Sequence, residues 1–568
     1  MLLVNHLGYE RHGAKQAVLQ APPGLRGQQA GLYREEDQVV VSQVAIVSQG
    51  AVPGWKNRYF YTLDFSDFQG CGRFYLQCGD YRSHTFTIGD GLALHTTLSD
   101  VLHYFKSQRC SGRYDLHDRQ AHFFDQPERD PVDLHGGWYD ASGDVSKYLS
   151  HLSYANYMNP QQTPLVVWSL LQASELLAND SALKIQNLYH RLLDEALFGA
   201  DFLVRMQDPD GYFYMTLFDR WSKQPQQREI CSYATQAGHK ATTYQAAFRQ
   251  GGGMAIAALA DASRQPRHGE YQQDDYLRAA LSGYWHLREY NHQYLDDGCE
   301  NILDEYCALL AASALYRATQ DTRLQQESQY WAERLMQRQC SDAQYPHYWS
   351  ANADGSRPFF HASDAGLPVL ALVYHLQHSA LPAQQAALQQ TLRQAVEFEL
   401  HITAEPFNPF GYPCQYVKGT HSEKRRSFFI PHDNESGYWW QGENARLASL
   451  ASMAYAAKPY TNAEQQSALT HYANDALHWI LGRNPFDICM LDGTGHHNPT
   501  YLDAFPNAKG GVCNGITAGF EDEADLDFKP QPYHEDILQN WRWGEQWIPH
   551  AAWYLLAITY QYKEAHHV

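Results

Sequence analysis

The sequence predicts a small antiparallel β-sandwich followed by an all-α (α/α)6 barrel. Two observations carry that class. Up to about Asp90 the chain runs in short apolar alternations broken by Gly, Pro and Asp, and past Thr97 its hydrophobic period changes to 3.6. The helical part divides into about twelve segments with alternating short and long connections, as six helical hairpins closed in a ring require.

The strand candidates, in order, are AVLQ, GLYREED, QVVVSQVAIV, NRYFYTLDFSDF, GRFYLQCGDY and HTFTIGD. Helix candidates follow near 97–110, 165–178, 184–207, 244–264, 274–293, 301–319, 324–340, 364–379, 384–402, 440–457, 464–482 and 545–561. PLVVWSLLQASELLAND and QQTLRQAVEFELHITA both repeat apolar residues at i, i+3, i+4 and i+7, with polar residues between. A twelve-helix solenoid fits the same count, but no fixed-period repeat supports one. The connections 111–160, 208–243, 403–435 and 483–544 are long and irregular, and such loops inside compact domains are usually functional.

A chain of 568 residues is expected to hold at least two domains, and 44% hydrophobic residues suffice for a large core. The net charge of −20 argues against nucleic acid and anionic membranes, which need a basic footprint, though it would tolerate a cationic substrate. No run of 18 apolar residues appears, so no membrane span is expected. MLLVNHLGYERHGAKQAVL lacks a basic region followed by a long apolar core, so no secretory signal is expected either. The ten cysteines are scattered without framework spacing, which suggests reduced thiols in a cytoplasmic protein, with Cys71 and Cys78 the nearest to a pair.

The first long connection contains GGWYDASGDVSKY, Gly136 to Tyr148. Asp, Ser and Gly are the usual residues of tight turns. Asp140 and Asp144 could equally share a water molecule as a general base, with Trp138 and Tyr139 offering flat faces to a sugar ring. Near the C-terminus, Glu545 stands among Trp541, Trp543 and Trp547 at the expected start of the last helix. A glutamate there favours the helix dipole, but a carboxyl packed among indoles also acquires the raised pKa of a general acid. A base pair early and an acid late make an inverting glycosidase, with carboxyls roughly 6.5–9.5 Å apart.

GGWYDASGD resembles the GGWYDAGD signature of family 9 glycoside hydrolases, and GEQWIPHAAW resembles that family's general-acid segment. VNHLGYERHGAKQAVL resembles the start of the immunoglobulin-like module that precedes the barrel in one branch. LVRMQDPDGYFY, NPFGYPCQYVKG, WWQGEN and WILGRNPFD extend the likeness over nearly the whole chain, in order. The resemblance implies an immunoglobulin-like sandwich over 1–92 and a catalytic (α/α)6 barrel over 93–568. It implies Asp144 as base, Asp140 as its companion on the water and Glu545 as proton donor, without cofactor. The family's PHHR motif, which contacts sugar hydroxyls, is read here as GHHN, giving His496, His497 and Asn498 as substrate contacts beside Trp439 and Trp543. The branch's zinc site is represented only by Cys110 and His122, with Ala121 in place of a cysteine, so no metal is expected. EDEADLDF (521–528) lacks the glycine of a calcium loop and reads as a solvated acidic loop.

The family pattern has no counterpart of Ser142 between the aspartates. The cytoplasmic branch with this DASGD insertion resembles exo-β-D-glucosaminidases of chitin and chitosan catabolism. The favoured expectation is therefore release of glucosamine from the non-reducing end of small oligosaccharides, with Asp140 swinging to bind the amine and loops 111–160 and 208–243 closing the cleft. The alternative is a cellodextrinase, β-glucosidase or endoglucanase on β-1,4-glucans. A non-catalytic carbohydrate-binding protein is disfavoured because all three carboxylates are kept, and a polysaccharide lyase because −20 suits an anionic substrate poorly.

Overall fold

The structure, a computed structural model, describes residues 1–25, 29–235, 237–437 and 441–566. The N-terminal strands form two packed sheets that share one long strand. Val40–Gly50 pairs through its first half with Gln29–Arg34 and through its second with Phe60–Asp64, and an irregularity between Ile46 and Ser48 bends it from one sheet to the other. The sandwich is not antiparallel throughout, since Gly8–Glu10 runs parallel to Phe86–Gly89. That strand and Leu2–Leu3 are too short for an alternation to be visible in sequence.

Alternate residues divide between two cores. Ala17, Leu19, Tyr61, Leu63, Phe74 and Leu76 fill the sandwich. Leu3, Val18 and Phe60, with Val52 and Trp55, belong instead to the barrel's core. One sheet is therefore buried on both faces, and the domains meet through side chains rather than through a linker.

Among the described residues, twelve long helices alternate between an outer and an inner ring. The inner helices are Thr163–Leu177, Gly252–Ala262, Ile302–Thr319, Leu367–His378, Asn444–Ala457 and Ile548–His566. Each packs on the next and the last returns to the first, which closes the barrel and excludes a solenoid. The inner helix Gly252–Ala262 is buried at every position, whereas the outer helix Thr322–Met336 buries one stripe through Leu324, Ser328, Trp331 and Leu335. Thr163–Leu177, expected to show a single stripe, is an inner helix buried on most of its surface. No described helix is long and apolar enough to cross a membrane.

Chain direction then places the site. Connections from inner to outer helices are short, as at 178–182, 320–321 and 458–462, while those from outer to inner helices include 109–162, 206–251, 405–443 and 481–547. Every long connection thus lies at the end of the barrel where the inner helices begin.

Candidate active site

The turn bearing the two aspartates is anchored from below. Gly136 and Gly137 are left-handed (φ 80° and 71°), and a Cβ on Gly137 would stand 2.8 Å from the Phe202 ring. Trp138 then drives into the core, where its indole N–H donates to Glu195 at 2.9 Å. Beneath the turn, Asp118 accepts from Lys147 at 2.8 Å and from Arg228 at 2.7 Å. Burial pushes the Asp118 carboxyl up, but Lys147 and Arg228 outweigh it and hold the group well below the usual carboxylate range. Lys147 also donates to the carbonyls of Leu134 and Gly136, and Arg228 to that of Val145, so the ion cluster fastens both ends of the turn.

Asp140, Asp144 and Glu545 all line one cavity of about 430 Å³, within the range of roughly 300–1,000 Å³ usual for small-molecule sites. Asp144 is saturated with donors. Its Oδ1 accepts from the Ser146 N–H at 2.8 Å, and its Oδ2 accepts from the Tyr148 hydroxyl at 2.7 Å and the Trp221 indole at 3.1 Å. Asp140 Oδ2 takes the His151 imidazole and the Trp547 indole, both at 2.7 Å, while its buried Oδ1 has no partner among the described residues. Burial, then the charges of Asp140 and Asp219, push Asp144 up to about 6. Burial, then Asp144 and Asp140, raise Glu545 well above the ordinary range. The cavity thus holds three carboxyls, of which burial and mutual charge raise Glu545 and Asp144.

Comparison with known proteins decides the family. Residues 95–504 match glycosyl hydrolase family 9, and residues 2–83 match the cellulase N-terminal ig-like domain. The chain belongs to glycosyl hydrolase family 9. It is similar in structure to a metagenome-derived family 9 endoglucanase, at 19% identity and TM-score 0.69 over 99% of both chains. A Bacteroides ovatus family 9 protein is similar at 19% identity and TM-score 0.68, again over 99% of both chains. AaCel9A in complex with cellobiose-like isofagomine is similar at 18% identity and TM-score 0.66, also over 99% of each. No curated protein matches the chain.

Several expected contacts of this family 9 site lie elsewhere. Trp138 is wholly buried and offers no face to sugar. Tyr139 points away from the cavity, bonded through its hydroxyl to the backbone of Ser111. Trp543 is buried too, donating to Thr517 at 2.8 Å. His496 and His497 pack against His6 and His84 of the sandwich, and Asn498 holds loop carbonyls, including that of Thr494 at 2.7 Å. Trp439 lies outside the described residues. Glu545 is not in a first helical turn. It sits in extended backbone (φ −67°, ψ 135°) after the short helix Trp541–Gly544, and the final helix starts at Ile548 with Pro549 in its first turn. Asp140 does not swing either, since His151 and Trp547 clamp it.

Sequence reasoning missed His151, Trp221, Lys223, Tyr501 and Phe505, which complete the cavity wall. Trp221 and Lys223 lie in an expected functional loop and carry a signal visible only in space. Buried Asp219 accepts from the backbone N–H of both, and Arg220, Trp221 and Lys223 are all left-handed, a conformation non-glycine residues adopt under constraint.

The residues present do not fit the branch's zinc. Cys110 faces Asp118 at 3.5 Å, and that carboxylate is taken by Lys147 and Arg228. His122 is exposed, and neither belongs to a described group of potential ligands. The acidic loop 521–528 is not simply solvated. Asp522 pairs with Lys56 at 2.5 Å, Asp525 with Arg58 at 3.1 Å, and Glu523 with Arg425, so it docks the sandwich onto the barrel. No disulfide forms among the described residues, which include every cysteine.

Proposed function

We propose that the chain hydrolyses β-1,4-linked oligosaccharides with inversion. The carrying observation is one cavity lined by a carboxyl raised in pKa and by a donor-bound aspartate pair. In this reading Glu545 protonates the leaving glycosidic oxygen as its bond to the anomeric carbon breaks. A water held by the aspartate pair attacks that carbon from the opposite face and passes its proton to the pair. The general acid and base need no cofactor for this.

Glucan oligosaccharides are the substrate best supported by comparison, since similar structures include proteins described as endoglucanases and one in complex with cellobiose-like isofagomine. One observation favours the amino-sugar reading: Asp140 and Asp144 both line the cavity, where a carboxylate would attract a protonated 2-amino group, though Lys223 in the same wall opposes it. Walls contributed by the loops carrying His151 and Lys223 support attack from a chain end. The test is release of sugar from cellobiose, the glucosamine dimer and the N-acetylglucosamine dimer side by side, with the anomer formed first followed by NMR. Cellobiose cleaved fastest supports the glucan reading and the glucosamine dimer the amino-sugar reading. A first-formed β-anomer overturns inversion.

A further inference from the structure

We propose that Ser142, the residue inserted between the two aspartates, is a positioning residue for the general acid. The inference rests on the glycosidase reading above and assigns the insertion a task in it. Ser142 forms a two-way clasp with the acid's neighbour. Its N–H donates to the Gln546 carbonyl at 2.9 Å, and the Gln546 N–H donates back to Ser142 Oγ at 3.0 Å. The hydroxyl proton goes to Asn507 Oδ1 at 3.2 Å, and the Asn507 amide donates in turn to the Gly544 carbonyl at 2.9 Å. Glu545 is thereby bracketed on both sides by bonds that run through one side-chain oxygen.

The next residue continues the clasp. Gly143 lies directly against the acid, since a Cβ there would stand 2.8 Å from Glu545 Oε1. A four-residue D-A-G-D turn has one residue fewer with which to reach across. The insertion therefore sews the base turn to the acid strand, so that acid and base hold their separation as one unit. Misplacement of a reacting group by a fraction of an ångström to one ångström is costly in rate even where the fold is intact.

Removing the hydroxyl alone leaves the backbone half of the clasp in place. The experiment compares Ser142→Ala and Ser142→Thr with the unmutated chain on the faster-cleaved disaccharide, cellobiose or the glucosamine dimer, and on the 2,4-dinitrophenyl glycoside of the same sugar. The latter departs without needing a proton. We expect Ser142→Ala to lose about tenfold or more in kcat on the disaccharide, with KM little changed and less than about threefold lost on the activated glycoside. Ser142→Thr, which keeps the oxygen, should recover most of the loss. Equal losses on both substrates mean a merely structural role and overturn the proposal, as does a Ser142→Ala chain with undiminished turnover. An unmutated chain inactive on all three disaccharides and on the tetramers of the same sugars overturns the glycosidase reading and this inference with it.

Discussion

Two clusters in this molecule are made of the same residue types at the same reach: Asp140–Asp144–His151 and His6–His84–Asp487. The first opens onto a cavity of about 430 Å³. In it, a buried carboxylate faces other carboxylates, and Asp144 rises to about 6. In the second, Asp487 sits between imidazoles, accepting from His6 at 2.9 Å and His84 at 3.1 Å. Burial pushes Asp487 up, but the bond from His6 and the charges of His6 and His84 hold it below the ordinary value. The His496 backbone N–H donates to His6 Nδ1 at 3.1 Å, which leaves the proton of neutral His6 on Nε2, facing Asp487. That tautomer suits a rivet between sandwich and barrel and not a metal ligand, whose nitrogen must offer a lone pair. Composition therefore does not distinguish a reactive site from a joint. What lies opposite each carboxylate does.

The comparison breaks most directly at Glu545. Glu545→Gln should lower kcat on an unactivated disaccharide by about 10²–10⁴ while the sugar still binds, as single-turnover kinetics and calorimetry would show. Near-normal turnover would place the acid elsewhere. Asp140→Asn should lose about as much. If Asp140 holds only the water, kcat/KM falls alike on the glucosamine dimer and cellobiose, whereas an amine contact makes the loss on the glucosamine dimer larger.

The pH dependence sharpens the contrast. The base must be ionised and the acid protonated, so kcat/KM should fall as pH drops through the range where Asp144, pushed up to about 6, takes its proton. The opposite limb appears where Glu545 loses its proton, displaced upward by the rise in its pKa. A profile that stays flat from pH 7 down to pH 4 would rule out the raised Asp144.

At the seam, Asp487→Asn should cost about 1–3 kcal/mol of stability with kcat unchanged. The folded pKa of Asp487 is depressed, so its contribution is full above the unfolded carboxylate value and disappears as pH falls through the folded one. Melting curves of variant and unmutated chains should therefore converge in acid, and a gap that widens there would contradict the rivet. The smallest effect belongs to His497→Ala. Its side chain is 56% exposed, and both activity and stability should stay within about 0.5 kcal/mol of the unmutated chain.

Much of this was legible from residues alone. The helices announce themselves because apolar residues recur with the helical period, and Asp140, Asp144 and Glu545 stand out because carboxylates beside glycines and indoles are unusual company. The false leads, Trp138, Trp543, His496 and His497, share one cause. In an irregular loop no period tells which side a residue faces, so an aromatic in the core and one on a cavity wall look alike. His151 and Lys223 escaped notice for the same reason.

By itself the sequence determined the two domains, the alternation of twelve helices and the carboxylates available for chemistry, because periodicity and local turn composition are written in neighbouring residues. Only the tertiary structure decided which oxygens of those carboxylates carry donors, that Ser142 reaches Gln546 across 404 positions, and that the GHHN loop serves a joint. Those outcomes depend on groups brought together by closure of the ring, and burial and charge act through distance in space, which spacing along the chain does not encode.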